Sequence, residues 1–416
     1  MLHPVVCSTA AGTGGIVREI VRAIRSGHWP SLAAAWLHFE VSFMAWLLIG
    51  ALGVFIADDF YLTATQKGLL VAMPLLGGAL LRIPVGLCSD RFGPKPTGLV
   101  LLAGESLVLL WGWSGMSSYS ELLAMGLCLG IAGASFAVSL PLASRAYPPV
   151  HHGLAMGVAA SANSGIVLAA FFAPRLGQIV GWHGVFGLMT VPVVITLVLY
   201  GLLIRRDIGG ASGGRGAGGW DHVSGLFREP FSYWLCVLYA VTFGGFAGLS
   251  SFLPIFLHDH YALDVVAAGS VTALCGLAGS LIRPWGGHIA DRAGGKAVLA
   301  WVFPIMAGLV IVVGALPPLA WAMPVLVAAV ASMGFGNGVV FRIVSDRYPK
   351  QMGTASGLIG AAGGLGGFLL PTSLGVLKDA TGTYQSGFFM FAALAGAVWM
   401  SILFVNRRDN ASSIPS

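Results

Sequence analysis

Charge is what this chain has least of. Asp, Glu, Lys and Arg make up 9% of its 416 positions, against a usual ~25% in soluble proteins. That scarcity excludes a water-soluble globule, whose surface cannot be covered by so few ionised groups. The five cysteines, Cys7, Cys88, Cys128, Cys236 and Cys275, show no spacing that would build a metal centre or a disulfide framework. Residues 1–31 lack the apolar core of a secretory signal peptide. No loop carries a nucleophile, metal-ligand or phosphate-cradling constellation, so no enzyme, metal or cofactor is expected.

Apolar length takes the place of charge. Hydrophobic residues reach 56%, and stretches of about 20 apolar residues, enough to cross a bilayer, recur along the chain. They fall at 32–57, 67–88, 97–116, 121–144, 153–179, 182–204, 231–257, 267–289, 297–316, 319–343, 354–377 and 385–405, numbered here as spans 1 to 12. The expected fold is an all-α membrane protein. Placing the N-terminus inside puts 16 of the 22 Lys and Arg in inner segments and only Lys67, Arg175 and Lys378 in outer ones. The positive-inside rule then predicts a multi-pass protein of the inner (cytoplasmic) membrane, surrounded by lipid, with both termini cytoplasmic. The net charge of +6 reports that topology rather than a nucleic-acid partner.

Residues 1–31 form a cytoplasmic segment in which Ile16, Val17, Ile20, Val21 and Ile24 recur at helical spacing between Arg18, Arg22 and Arg25. That pattern fits a helix lying on the inner leaflet, and a disordered basic tail fits it equally. Residues 205–230 are glycine-rich and read as a flexible cytoplasmic linker. It separates a six-span half at 32–204 from a second at 231–405, followed by a tail at 406–416. An even number of spans per half gives both the same orientation, so the halves are parallel repeats.

A repeated cassette supports the duplication. Arg82-Ile-Pro-Val-Gly86-Leu-Cys-Ser-Asp90-Arg91-Phe-Gly93-Pro-Lys95 is echoed by Arg283-Pro-Trp-Gly-Gly287-His-Ile-Ala-Asp291-Arg292-Ala-Gly294-Gly-Lys296, an offset of 201 (283 minus 82). Val41-Ser42-Phe43 aligns with Val241-Thr242-Phe243 at nearly the same offset. Twelve spans in two halves, with Gly-x-x-x-Asp-Arg-x-Gly-x-Lys after spans 2 and 8, resemble the major facilitator superfamily over essentially the whole chain.

Arg82 and Arg283 lie eight residues before each Asp, about 12 Å into the membrane at 1.5 Å per residue. A cation there is costly and needs a partner. Apart from Glu121 at the first position of span 4, the spans offer only two acids, Glu40 and Glu105, and two cations in symmetric positions point to an anion between them. A guanidinium is a planar fork suited to a planar oxyanion or a phosphate, and no lysine lies securely in a span. Arginines held by carboxylates or helix carbonyls are the structural alternative.

Small residues recur every fourth position in span 5, at Gly153, Gly157, Ser161, Gly165, Ala169, Ala173 and Gly177, and again in span 11 at Gly360, Gly363, Gly364 and Gly367. Such faces let helices approach closely and also slide during alternating access. Asn163 lies about 200° around the helix from Ser161, so its amide can face a cavity or bond a neighbouring helix.

Ala162-Asn163-Ser164-Gly165 in span 5 and Gly360-Ala-Ala-Gly363-Gly364-Leu-Gly366-Gly367-Phe368 in span 11 resemble the paired signatures of the nitrate/nitrite porter family. That resemblance implies a transporter of nitrate and nitrite, with Arg82 and Arg283 holding the anion and Phe136, Tyr239, Phe243 and Asn163 around it. Ser161 departs from members that carry a second Asn there. The small-residue faces make Gly157, Gly165, Gly360, Gly363, Gly364, Gly366 and Gly367 the expected sliding glycines, and the resemblance to the superfamily implies a cytoplasmic gate of Asp90, Arg91, Asp291 and Arg292, with Arg145 and Arg347 as candidate partners of the two Asp. Arg342 reads as a gate or snorkelling residue.

Coupling stays open at this level. Exchange needs no proton, and symport needs a titratable group such as His38, Glu40 or Glu105. The expected working unit is a monomer. The rivals are a carrier of another small anion, such as formate or a short carboxylate, and a transporter-like membrane sensor.

Overall fold

The computed structural model describes residues 26–148, 151–205, 208, 225–226, 228–348 and 352–412. The segment at 1–25, most of the linker and the last four residues of the tail lie outside the described residues, and with them the interfacial-helix expectation. Among the described residues the ordered elements are helices, and no strand occurs.

Helix boundaries follow local chemistry. Span 2 (Ala64–Phe92) starts at a capping box in which Thr63 and Gln66 satisfy each other's backbone N–H. Ser118 caps span 4 and Asp264 caps span 8 (Val265–Ala293). The repeated Asp-Arg-x-Gly tail has a backbone role. Gly93 (φ 96°) and Gly294 (φ 82°) are each the single residue between consecutive helices, leading to span 3 (Pro94–Trp113) and span 9 (Gly295–Gly314). The left-handed conformation favours glycine there.

Among the described residues ten helices are long and apolar enough to cross a membrane, and they account for eleven spans. Spans 5 and 6 meet within Gly165–Leu203 as two helices joined directly at the non-helical Gly181 (φ 72°). Span 1 makes the twelfth, beginning at Trp29 and broken into Trp29–Trp46, Leu48–Ala51 and Gly53–Asp59. The remaining helices are span 7 (Pro230–Tyr261), span 10 (Leu319–Arg347), span 11 (Met352–Thr381) and span 12 (Gln385–Ser412). Span 4 breaks after Gly133 and resumes at Phe136. Span 5 breaks at a 3-10 turn over Ser161–Ser164.

The halves meet chiefly through span 2 against span 11 and span 5 against span 8. Missing Cβ atoms make these contacts close. Gly68 faces the Pro371 carbonyl, Gly375 faces that of Ala64 and Gly269 that of Ala170. At one end of the bundle the seam is sealed by polar bonds. Lys67 pairs with Asp259 at 2.9 Å, Tyr384 donates to the same Asp259 at 3.0 Å, and Asp379 accepts the first backbone N–H groups of span 2 at Ala64 and Thr65. At the opposite end two adjoining clefts open between the halves. They share Asp90, Ala137, Pro141 and Gly357, and the wider holds about 200 Å³. One reaches Arg82 and the other reaches Phe136.

Candidate functional site

Arg82 is 1% exposed, deep in the bundle. Its Nε donates to the Gly133 carbonyl at 3.1 Å, and its Nη1 donates to the Gly360 carbonyl of the other half. Both acceptors exist for local reasons. Span 4 breaks directly after Gly133, which frees a carbonyl from the helical ladder. Gly360 has no side chain, and a Cβ there would stand 3.3 Å from Arg82 Nη1. The guanidinium carbon also lies 5.2 Å from the Phe243 ring, 5.3 Å from Trp46 and 5.7 Å from Phe136, at distances typical of cation–π attraction.

Arg283 approaches from span 8. Its Nη2 is 3.5 Å from the Tyr239 hydroxyl and its guanidinium carbon is 5.6 Å from the Phe341 ring. Tyr239 and Phe243, one turn apart on span 7, stack in parallel with centroids 5.0 Å apart and planes at 5°. Phe341 sets its edge against both Tyr239 (5.0 Å) and Phe136 (5.7 Å). Arg82 therefore lies by Phe243 and Arg283 by Tyr239, so both guanidiniums border one stacked aromatic pair, a setting that suits flat, weakly hydrated solutes.

The span 11 glycines shape this cluster of rings. A Cβ on Gly363 would stand 2.6 Å from Tyr239 and 2.9 Å from Phe243, so the ring pair lies directly on the span 11 backbone. Gly364 meets Ala79, and Gly366 meets the Ala240 backbone. Gly367 has looser contacts, the nearest with Leu75. Gly165 faces the Glu40 carbonyl. Gly157 differs, because a Cβ there meets nothing within 4 Å and the residue is exposed. Of these two span 5 glycines, then, only Gly165, about two turns beyond Gly157, sits on a close face.

Asn163 is 3% exposed, within the 3-10 turn, and its Oδ1 accepts no hydrogen bond from the described residues. The three titratable groups considered for coupling are bonded between helices of the first half. Ser42 donates to both oxygens of Glu105 (2.8 and 3.0 Å), Ser164 donates to Glu40 at 2.8 Å, and His38 Nδ1 meets the Ser139 hydroxyl at 3.3 Å.

At the open end, Asp90 pairs with Arg145 at 3.7 Å. Asp291 pairs with Arg342 rather than Arg347. Arg347 instead bonds Glu229, which also accepts from Tyr348 at 2.8 Å. Glu229 ends the linker beside the foot of span 10 and so competes for Arg347, leaving Asp291 to the arginine five residues earlier. The Arg347 hydrogen bond holds the Glu229 carboxyl below its ordinary range.

Sequence reasoning missed Trp46 and Phe341. A signal for Trp46 was present, since Trp36, Phe39, Phe43 and Trp46 form a stripe at helical spacing along span 1. Phe341 lies one turn beyond Asn337, in the aligned counterpart of the Phe136 region.

Comparison with known proteins places this geometry in context. Residues 35–371 match the family model described as Major Facilitator Superfamily. A nitrite extrusion protein of Bacillus subtilis is 31% identical over 370 residues, covering 89% of this chain and 92% of the relative. A probable nitrate/nitrite transporter of Mycobacterium tuberculosis is 35% identical over 375 residues, covering 87% and 92%. Among solved structures, an inward-facing, occupied bacterial homologue of the human lysosomal transporter Spinster superposes with a TM-score of 0.72 at 18% identity, over 90% of this chain and 96% of that one. That likeness concerns the fold.

Proposed function

The chain belongs to the nitrate/nitrite porter family of the major facilitator superfamily, and from that premise we propose that it carries nitrate and nitrite across the cytoplasmic membrane by alternating access, holding the anion between Arg82 and Arg283. The observation that carries this reading is the pair of guanidiniums bordering the Tyr239–Phe243 stack, Arg82 by Phe243 and Arg283 by Tyr239. A planar anion can lie against a ring face while the forks take its oxygens. The anion also supplies the counter-charge that the site otherwise lacks, since Arg82 bonds only neutral carbonyls among the described residues.

By the positive-inside reading, the end bearing Asp90 and Asp291 faces the cytoplasm. The open clefts at that end and the Lys67–Asp259 seal at the other then describe an inward-facing protein. Transport follows if the seal opens and the Asp90 end closes around the same site, the two halves rocking as parallel repeats. Domain limits of 32–204 and 231–405 fit this motion, with 205–230 as the cytoplasmic connector. The working unit is a single chain.

Of the two coupling modes, exchange of nitrate for nitrite is favoured by one observation. Glu40 and Glu105 are hydrogen-bonded to Ser164 and Ser42 within the first half, and among the described residues neither is bonded to Arg82 or Arg283. The test is uptake of labelled nitrate into proteoliposomes, with and without internal nitrite and an imposed proton gradient. Stimulation by internal nitrite alone supports exchange, and stimulation by the gradient alone supports symport. No movement under any condition overturns the assignment.

A further inference from the structure

Asn163 owes its position to a break in its own helix. The Ser161–Ser164 segment is a 3-10 turn between His152–Ala160 and the helix that starts at Gly165. Short 3-10 stretches within helices often mark hinges. Here the turn is held from outside, by span 1. The Trp36 indole N–H donates to Ser161 Oγ at 3.1 Å, and Ser164 Oγ donates to Glu40 Oε2 at 2.8 Å. Trp36 and Glu40 are one helical turn apart, so one face of span 1 grips both ends of the turn.

The grip is close. Gly165 permits it, because a Cβ there would strike the Glu40 carbonyl and stand 2.9 Å from the Met44 amide.

We propose that Glu40 is a positioning residue: with Trp36 it holds Ser161–Ser164 in the 3-10 form and so sets the direction of Asn163 toward the anion. The role of Asn163 in this statement rests on the nitrate reading above. A 3-10 turn advances about 120° per residue and an α-helix about 100°. Releasing the clamp and letting the turn relax to α would re-aim Asn163, its third residue, by about 60°, enough to remove the amide from a planar ligand.

The test has two arms. In the first, hydrogen exchange of the amides at 162–165 is compared in the full-length wild type, Glu40→Ala, Ser164→Ala and Glu40→Gln. The two alanine variants should exchange about tenfold faster or more, and Glu40→Gln, whose amide oxygen still accepts from Ser164, should stay near wild type. Unchanged exchange in Glu40→Ala overturns the clamp whether or not nitrate is the cargo. In the second arm, nitrate KM should rise about fivefold to tenfold in Glu40→Ala and Ser164→Ala, the cost of one lost polar contact, with kcat changed less than about twofold. In an Asn163→Ala background, Glu40→Ala should add less than about a further twofold. Effects on KM that multiply would overturn the positioning role, because a purely structural Glu40 acts independently of Asn163. A wild type that moves no nitrate would defeat the nitrate reading, while the exchange arm still decides the clamp.

Discussion

Arg82 donates through Nη1 to the backbone carbonyl of Gly360, joining span 2 of one half to span 11 of the other at the level of the aromatic cage. A buried cation whose acceptors are neutral carbonyls is incompletely compensated, and in the proposed mechanism an entering anion would complete it. The bond also crosses the interface that the proposed rocking would move, so on that proposal ligand and interface would share one side chain.

Charge alone should not replace the fork. Arg82→Lys and Arg283→Lys keep the cation and lose the planar donors. Each should raise nitrate KM by about tenfold to a hundredfold, the equivalent of one charge-assisted hydrogen bond. Nitrate-dependent uptake with purified, folded variants checks this, and an unchanged KM for both would make the arginines structural.

Three glycines should behave differently under the same substitution. Gly363→Ala drives a methyl into the Tyr239 and Phe243 rings, 2.6 and 2.9 Å away, and should weaken nitrate binding strongly. Gly360→Ala, 3.3 Å from Arg82 Nη1, should weaken it less. Gly157→Ala meets nothing and should leave transport unchanged while adding up to about 1 kcal/mol of stability from helix propensity. Thermal unfolding beside uptake separates the three outcomes.

The seal should respond to its charges. Lys67→Ala removes a partly exposed ion pair, whose contribution is up to about 1 kcal/mol. The population open at that end should therefore rise by up to about fivefold. Spin-label distances between Tyr61 and Thr381 report it. Exchanging the two charges, Lys67→Asp with Asp259→Lys, should recover most of the closed population.

Acid should loosen the foot of span 10. Arg347 holds the Glu229 carboxyl below its ordinary value of 4.5. A depressed carboxyl stabilises the folded state fully above that value and loses the contribution as pH falls through the folded one. Melting temperature of the wild type should therefore drop relative to Glu229→Gln as pH falls below about 4.5. Parallel pH curves for the two proteins would contradict the pairing.

Much of this was legible in the sequence where chemistry repeats. The Arg-x3-Gly-x3-Asp-Arg cassette marks the depth of Arg82 and Arg283 because helical rise converts spacing into distance. Its glycines mark the tight joints because few other residues adopt φ near 90° (Gly93 96°, Gly294 82°). What spacing could not give was which groups meet across helices. Trp46 and Phe341 join the cage through packing between spans 1, 7 and 10, and Glu229 captures Arg347 from a segment that reads only as linker. The breaks after Gly133 and at Ser161–Ser164 leave no periodic signature, although each creates the carbonyl or the turn on which a candidate ligand depends.

The most direct test is an experimental structure of the protein in saturating nitrate. The account predicts one trigonal anion within about 3.2 Å of both the Arg82 and Arg283 guanidiniums, lying against the Tyr239–Phe243 stack. An anion that touches neither arginine, or only one, would contradict it.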